Sequence, residues 1–234
     1  MKQTFNVPSV IGVKNSKVKK WLADQPPIQI VQISPETASY DCIRHIDFLK
    51  YWKYDRDNFR KSIYWRYMVR AKGSDIAADE KCLYFGSLFD AICNNGWNGS
   101  EHPIAITDDG VRLDGSHRSA IAKVLGIQGI HARIYSWKQV SFFSKWEAKK
   151  LQQEAVYKRY IYDAAKINNN RVISRKNNLY LGRFIHVETR LQDFSILPTK
   201  HEFIVMIESP DGDFLWVNWN DVQLPIKKLP MRGA

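Results

Sequence analysis

Five consecutive residues, Asp114-Gly115-Ser116-His117-Arg118, bring a carboxylate, a hydroxyl, an imidazole and a guanidinium into one short polar turn. Residues 119–125 behind it read as the body of a helix, with Ala120, Ile121, Val124 and Leu125 on one side and Gly126 as its stop. The first turn of such a helix carries N–H groups without intrahelical partners and the positive end of the helix dipole, so it attracts an anion. Gly115 would let the backbone pass close to that ligand, and His117 and Arg118 add polar and charged donors. Asp114 is the odd member, because its carboxylate repels an anion unless a cation stands between them. A magnesium ion bridging Asp114 to phosphate oxygens removes the conflict. Without any ligand, the same string reads as a helix cap, with Asp114 and Ser116 meeting backbone N–H groups and His117 and Arg118 solvated.

The elements that must hold this turn are legible on both sides of it. Residues 88–96 read as a helix with a Gly-containing stop, and residues 103–107 as a short apolar strand. After the turn and its helix, residues 130–135 alternate, which predicts a strand with His131, Arg133 and Tyr135 on a solvated face and aliphatics on the other. Far upstream, residues 28–33 read as a first strand ended by Ser34-Pro35. The local order is helix, strand, turn, strand, polar turn, helix, strand.

That order, carried by Asn95-Gly96, His102-Pro103-Ile104, Asp109-Gly110, Asp114-Gly115-Ser116-His117-Arg118, Ala122 and Leu125-Gly126, resembles the ParB/sulfiredoxin superfamily over about residues 28–42 and 84–136. The resemblance implies an α+β fold: a small mixed sheet flanked by helices, with a nucleotide-phosphate pocket at the polar turn. Sulfiredoxins use a cysteine where Ser116 stands, and a hydroxyl cannot replace a low-pKa thiolate in attack on a sulfinyl phosphate. Chromosome-partitioning members carry a Gly-Glu-Arg-Arg type motif and a downstream helix-turn-helix, and residues 137–234 read instead as one helix followed by strands.

The small-molecule kinase branch, which includes free-serine kinases, is similar to this chain in its Asp-Gly-x-His-Arg motif. It implies that Gly115, Ser116, His117, Arg118 and Ser119 bind ATP or another nucleoside triphosphate, that Asp114 holds magnesium, and that Asp114 and His117 belong to the catalytic set. A carboxylate shortly after the first strand takes the proton of the acceptor hydroxyl in that branch. Asp41 occupies about that place, where those kinases have glutamate, and Glu36 is the other candidate. The expected function is a nucleotide- and magnesium-dependent phosphotransferase acting on a hydroxyl of a small molecule or sugar. The alternative is a ParB-like nucleic-acid-binding protein, nucleotide switch or nuclease.

Composition bounds these expectations without choosing among them. The 234 residues carry 35 Lys and Arg against 24 Asp and Glu, a formal net charge of +11, which favours an anionic partner: nucleotide, nucleic acid or an anionic or carbohydrate acceptor. Cys42, Cys82 and Cys93 include no C-x-x-C pair, and the six histidines lack paired helical spacing, so a metal held by protein ligands alone is not expected. No apolar run approaches the ~20 residues of a membrane span, and residues 1–5 do not begin an apolar signal region. The expectation is a soluble, cytoplasmic protein.

One domain spanning 1–234 is expected, with a helical insertion at about 43–83 and a C-terminal extension at 137–234. Within the insertion, residues 43–72 interleave Phe48, Tyr51, Trp52, Tyr54, Phe59, Tyr64, Trp65 and Tyr67 with Lys and Arg, without Gly or Pro. They read as two helices, or one broken near residues 55–58, whose aromatics form core beneath a solvated basic face or else a lid over an acceptor. The extension reads as a long helix over 142–166, a polar basic loop over 167–178, and a β-hairpin formed by 203–207 and 214–217.

Overall fold

The computed structural model describes residues 15–39, 41–100, 103–108, 110, 112–139, 145–167, 169–189 and 203–224. His102 and Asp109 of the motif block, and Tyr40 beside Asp41, lie outside the described residues. The protein is α+β with two sheets, and it divides into two compact units, Met1–Ser141 and Phe142–Ala234. The sequence reading has one domain with a C-terminal extension; the second unit carries a sheet of its own.

In the first unit, α1 (Asn15–Asp24) leads into β1 (Gln29–Ile33), α2 (Pro35–Ala38) and α3 (Ile43–Tyr54). Then come α4 (Ile63–Lys72), α5 (Asp75–Asn95), β2 (Ile104–Thr107), β3 (Arg112–Asp114), α6 (Ser116–Leu125) and β4 (Ile130–Tyr135). The sheet order is β1-β4-β2-β3, with β2 parallel to β4 and the other pairings antiparallel. The chain forms the β2–β3 hairpin, turns at Gly115 and crosses over through α6 to reach β4 beside β2. The polar turn therefore sits where β3 hands over to a crossover helix.

The insertion is built as the aromatic spacing predicts. α3 ends at Asp55, whose φ of −153° is not helical, and a 3-10 turn over Arg56–Lys61 precedes α4. Ser62 caps α4 by accepting from the Trp65 amide at 3.2 Å, and Asp47 of α3 accepts from the Ile63 amide at 2.8 Å, satisfying two of that helix's orphan donors. Phe48, Leu49, Trp52, Tyr64, Phe85 and Phe89 form one buried cluster with Ala120 and Ile121 of α6. Ala122 of α6 packs instead with Ile104, Ile130, Ala132 and Ile134 of the sheet. α6 is thus clamped between the sheet and the helical layer, and the buried aromatics of the insertion are core. Lys50, Lys53, Arg56, Arg60, Lys61 and Arg70 remain exposed, with Arg56 paired to Asp90 and Arg60 to Asp79.

α5 begins at Asp75, well before the expected start at residue 88, because Gly86 does not interrupt it. A Cβ there would lie 2.2 Å from the Trp52 indole, so the glycine is a packing requirement between α5 and α3. Gly86→Ala is expected to destabilise the first unit by about 1–3 kcal/mol through overpacking, measured as a lowered midpoint of Trp52-sensitive fluorescence in urea.

Two expectations for β4 need correction. Tyr135 is fully buried, because α1 lays Trp21 against it with ring centroids 5.0 Å apart. His131 is half-buried, with Nδ1 close to Gly99, while Arg133 remains half-exposed on the same side.

The second unit contains α7 (Lys145–Ile167), β5 (Arg171–Ser174), β6 (Tyr180–Thr189), β7 (Phe203–Glu208), β8 (Phe214–Asn218) and β9 (Val222–Gln223). Its sheet is antiparallel in the order β8-β7-β6-β5-β9. The β7–β8 hairpin matches the sequence reading. The expected loop over 167–178 is corrected: residues 171–174 form β5, paired on both sides. Left-handed Asn169, Asn170 and Asn178 supply the turns around it, and that turn chemistry masks a strand only four residues long. Among the described residues no helix is long and apolar enough to cross a membrane.

Candidate functional site

β3 delivers Asp114, and the chain then turns through Gly115 at φ +104° into α6. That conformation favours glycine, and a Cβ would also stand 2.5 Å from Ile104 Cγ2. The close approach foreseen at Gly115 is therefore to the protein's own β2 strand. Gly115 is the residue preceding the helix and offers no side-chain cap. The cap residue therefore makes no side-chain bond to the first-turn amides of α6, the groups that an anion site uses.

The charged members of the motif are tied down. Arg118 donates to Asp114 Oδ2 at 2.8 Å and to the Pro103 carbonyl at 2.6 Å. The cation that Asp114 needs is thus supplied from within the chain. Ser119, expected to bind the ligand, is fully buried and donates its hydroxyl to the Gly115 carbonyl at 3.0 Å, where it braces the turn. Ser116 is half-buried, and its carbonyl faces Cys42 Sγ at 3.5 Å.

Asp41, remote in sequence, is brought to this place by the start of α3. Both its carboxylate oxygens lie 2.6 Å from Arg112 Nη2, and Arg112 Nη1 donates to the Ala38 carbonyl at 2.7 Å. Cys42 Sγ lies 3.6 Å from Asp41 Oδ1 as well as against Ser116, so it spans the gap between the carboxylate and α6. Burial pushes the Cys42 thiol up to about 12, so it is protonated and inert as a nucleophile. Glu36, the rival to Asp41, pairs with Lys123, about two turns along α6 from Ser116 and hence ~10 Å from the polar turn. The geometry separates the two carboxylates that sequence left open.

His117 faces the helical layer. Its ring stacks on Phe85 with centroids 4.1 Å apart and an 18° interplanar angle, and its Nε2 is 3.1 Å from the Tyr64 hydroxyl. His45 packs edge-on at 5.2 Å. Burial lowers the His117 pKa to about 4, outweighing Asp114, which raises it; Lys81, Arg112 and Arg118 lower it further. His117 is neutral at pH 7.

Arg112 and Phe85 were not singled out from sequence, and Tyr64 only as one of the insertion's aromatics. The one local signal was an arginine between apolar neighbours in a short strand, at Val111-Arg112-Leu113. Among the described residues no group of three or more His, Cys, Asp or Glu is placed to hold a metal ion. Comparison with protein-family models, curated proteins and solved structures returned no match to this chain.

Proposed function

We propose that the first unit is a nucleotide-dependent phosphotransferase of the ParB/sulfiredoxin-like kinase type, acting on a hydroxyl of a small molecule or sugar. The observation that carries this reading is the meeting of Asp41 with the first turn of α6 through Cys42. A phosphate acceptor site and a carboxylate base are the two parts that hydroxyl phosphorylation needs from a protein.

In this scheme the first-turn amides and His117 hold oxygens of the nucleotide phosphates. The acceptor hydroxyl passes its proton to Asp41 as its oxygen bonds to the terminal phosphorus. The bridging P–O bond breaks, and the nucleoside diphosphate leaves. Arg112 fixes the orientation of the Asp41 carboxylate and offsets its charge beside the phosphates. A single carboxylate at Asp114 suits magnesium that arrives with phosphate ligands of its own, and such an ion supplies neutralisation of phosphate charge. Asp114 is the residue that would hold it, beside the Arg118 guanidinium that already engages Oδ2.

Thermal-shift measurements against ATP, ADP, CTP and GTP, with and without magnesium, test the reading. A nucleotide at 100 times its Kd should stabilise the protein by about 2.7 kcal/mol, and Asp114→Ala should abolish the magnesium-dependent part. Asp41→Asn should retain that shift while lowering transfer by about 10²–10⁴-fold, the usual contribution of a positioned base. No shift with any nucleotide, accompanied by salt-sensitive binding to nucleic acid, would replace this reading with the nucleic-acid alternative.

A further inference from the structure

We infer that Tyr64 is a positioning residue that locks His117 in the tautomer carrying its proton on Nδ1, making it a neutral, fixed hydrogen-bond donor for a phosphate oxygen. The phosphate role rests on the function proposed above, whereas the tautomer is a property of the protein without ligand.

Tyr64 is only 4% exposed, and among the described residues the one hydrogen-bond partner of its hydroxyl is His117 Nε2, at 3.1 Å. A buried hydroxyl that does not donate its proton leaves an unsatisfied donor, a cost greater than the net gain of an ordinary hydrogen bond. If Nε2 carried the ring proton, it would aim N–H at the phenol and strand the phenolic proton. With Nε2 as acceptor, the phenol donates and both groups are satisfied. In a neutral imidazole the proton then sits on Nδ1.

The packing admits no easy rearrangement. Phe85 stacks on one face of the imidazole, His45 lies edge-on, and Tyr64 itself packs on Phe48, Phe85 and His45. Burial also holds the phenol well above its usual range, so Tyr64 keeps the proton that it donates. His117 lies in the first turn of α6, whose cap residue, Gly115, makes no side-chain bond to the backbone N–H groups. Its Nδ1–H joins that array as a donor without adding charge. Tyr64 comes from the helical insertion, which gives that insertion a direct role at the polar turn.

The test is ¹⁵N NMR of the histidine side chains in the 234-residue chain at neutral pH, with His117→Gln used to assign the His117 signals. The expected result is a pyrrole-type Nδ1 and a pyridine-type Nε2. In Tyr64→Phe, which keeps the ring, that pattern should be lost and both nitrogens should move to exchange-averaged values. An Nε2–H tautomer in the unmodified protein would overturn the proposal, and so would an unchanged pattern in a folded Tyr64→Phe variant. If that variant does not fold, the measurement on the unmodified protein decides alone. Adding ATP with magnesium should shift the Nδ1 signal. A correct tautomer with no response to any nucleotide would retain the Tyr64 assignment and defeat only the phosphate reading.

Discussion

Gly115→Ala is expected to cost the first unit about 2–5 kcal/mol and to loosen α6 selectively. About 1–2 kcal/mol of this comes from forcing a Cβ into the left-handed region, and the rest from overpacking against Ile104. The effect is local, because the turn joins β3 to the helix clamped between the sheet and the aromatic cluster. Hydrogen exchange of α6 and β2 amides measures it better than a single melting curve, since two units need not unfold together. Protection should fall by a factor of 30 or more, following from about 2 kcal/mol. Unchanged protection in α6 would show that the turn relaxes without cost. An amino acid of the opposite chirality, D-alanine, introduced at 115 by semisynthesis should recover the conformational part, since a positive φ is its ordinary region.

Acid destabilises the first unit through His117. The unfolded imidazole takes up a proton near pH 6.5, whereas the folded one does so only near pH 4. Between those values the unfolded state binds more protons, so stability rises with pH across this window. The contribution is fully present above about pH 6.5 and is lost as pH falls toward 4. It amounts to on the order of 3 kcal/mol. Because other carboxylates and histidines titrate in the same range, the informative quantity is the difference between the protein and His117→Gln. The variant should show a flatter stability profile from pH 6.5 to 4, read by urea denaturation followed at α6. Parallel profiles would mean that His117 remains solvated enough to protonate normally.

These two results concern near neighbours in one turn, yet they differ in how they could be foreseen. Gly115 was marked between a strand and a helix as the glycine that lets the backbone pass close to a ligand. Its steric partner, Ile104, could not be named until the hairpin put β2 beside the turn. His117 was marked as a polar donor in a first turn. Its neutral state comes from Phe85, Tyr64 and His45, which lie on three other helices or helix ends and are selected by packing.

The insertion shows the same division. A break near residues 55–58 and the absence of Gly and Pro on either side are local signals, and α3 and α4 follow them. Which way the aromatics face depends on α5 and α6, so the string of rings and cations left the lid open beside the core. Gly86 is a further case, a helix-weakening residue retained inside α5 to seat Trp52. The strand β5 was lost among asparagine turns because four residues carry too little periodicity to outweigh them.

Asp41 and Glu36 give the sharpest comparison. Both follow the first strand, and side-chain chemistry alone makes either one a base. The fold sends Glu36 to Lys123 and Asp41 to Arg112, with Cys42 between Asp41 and Ser116. The amino-acid order was sufficient for the polar turn, its helix and the β2–β3 and β7–β8 hairpins, since these depend on periodicity and backbone preference over a few neighbours. Which carboxylate reaches the turn, how His117 is held and where Arg118 spends its charge were decided by tertiary structure. Those properties come from desolvation and contact between residues far apart in the chain, and no local pattern records them.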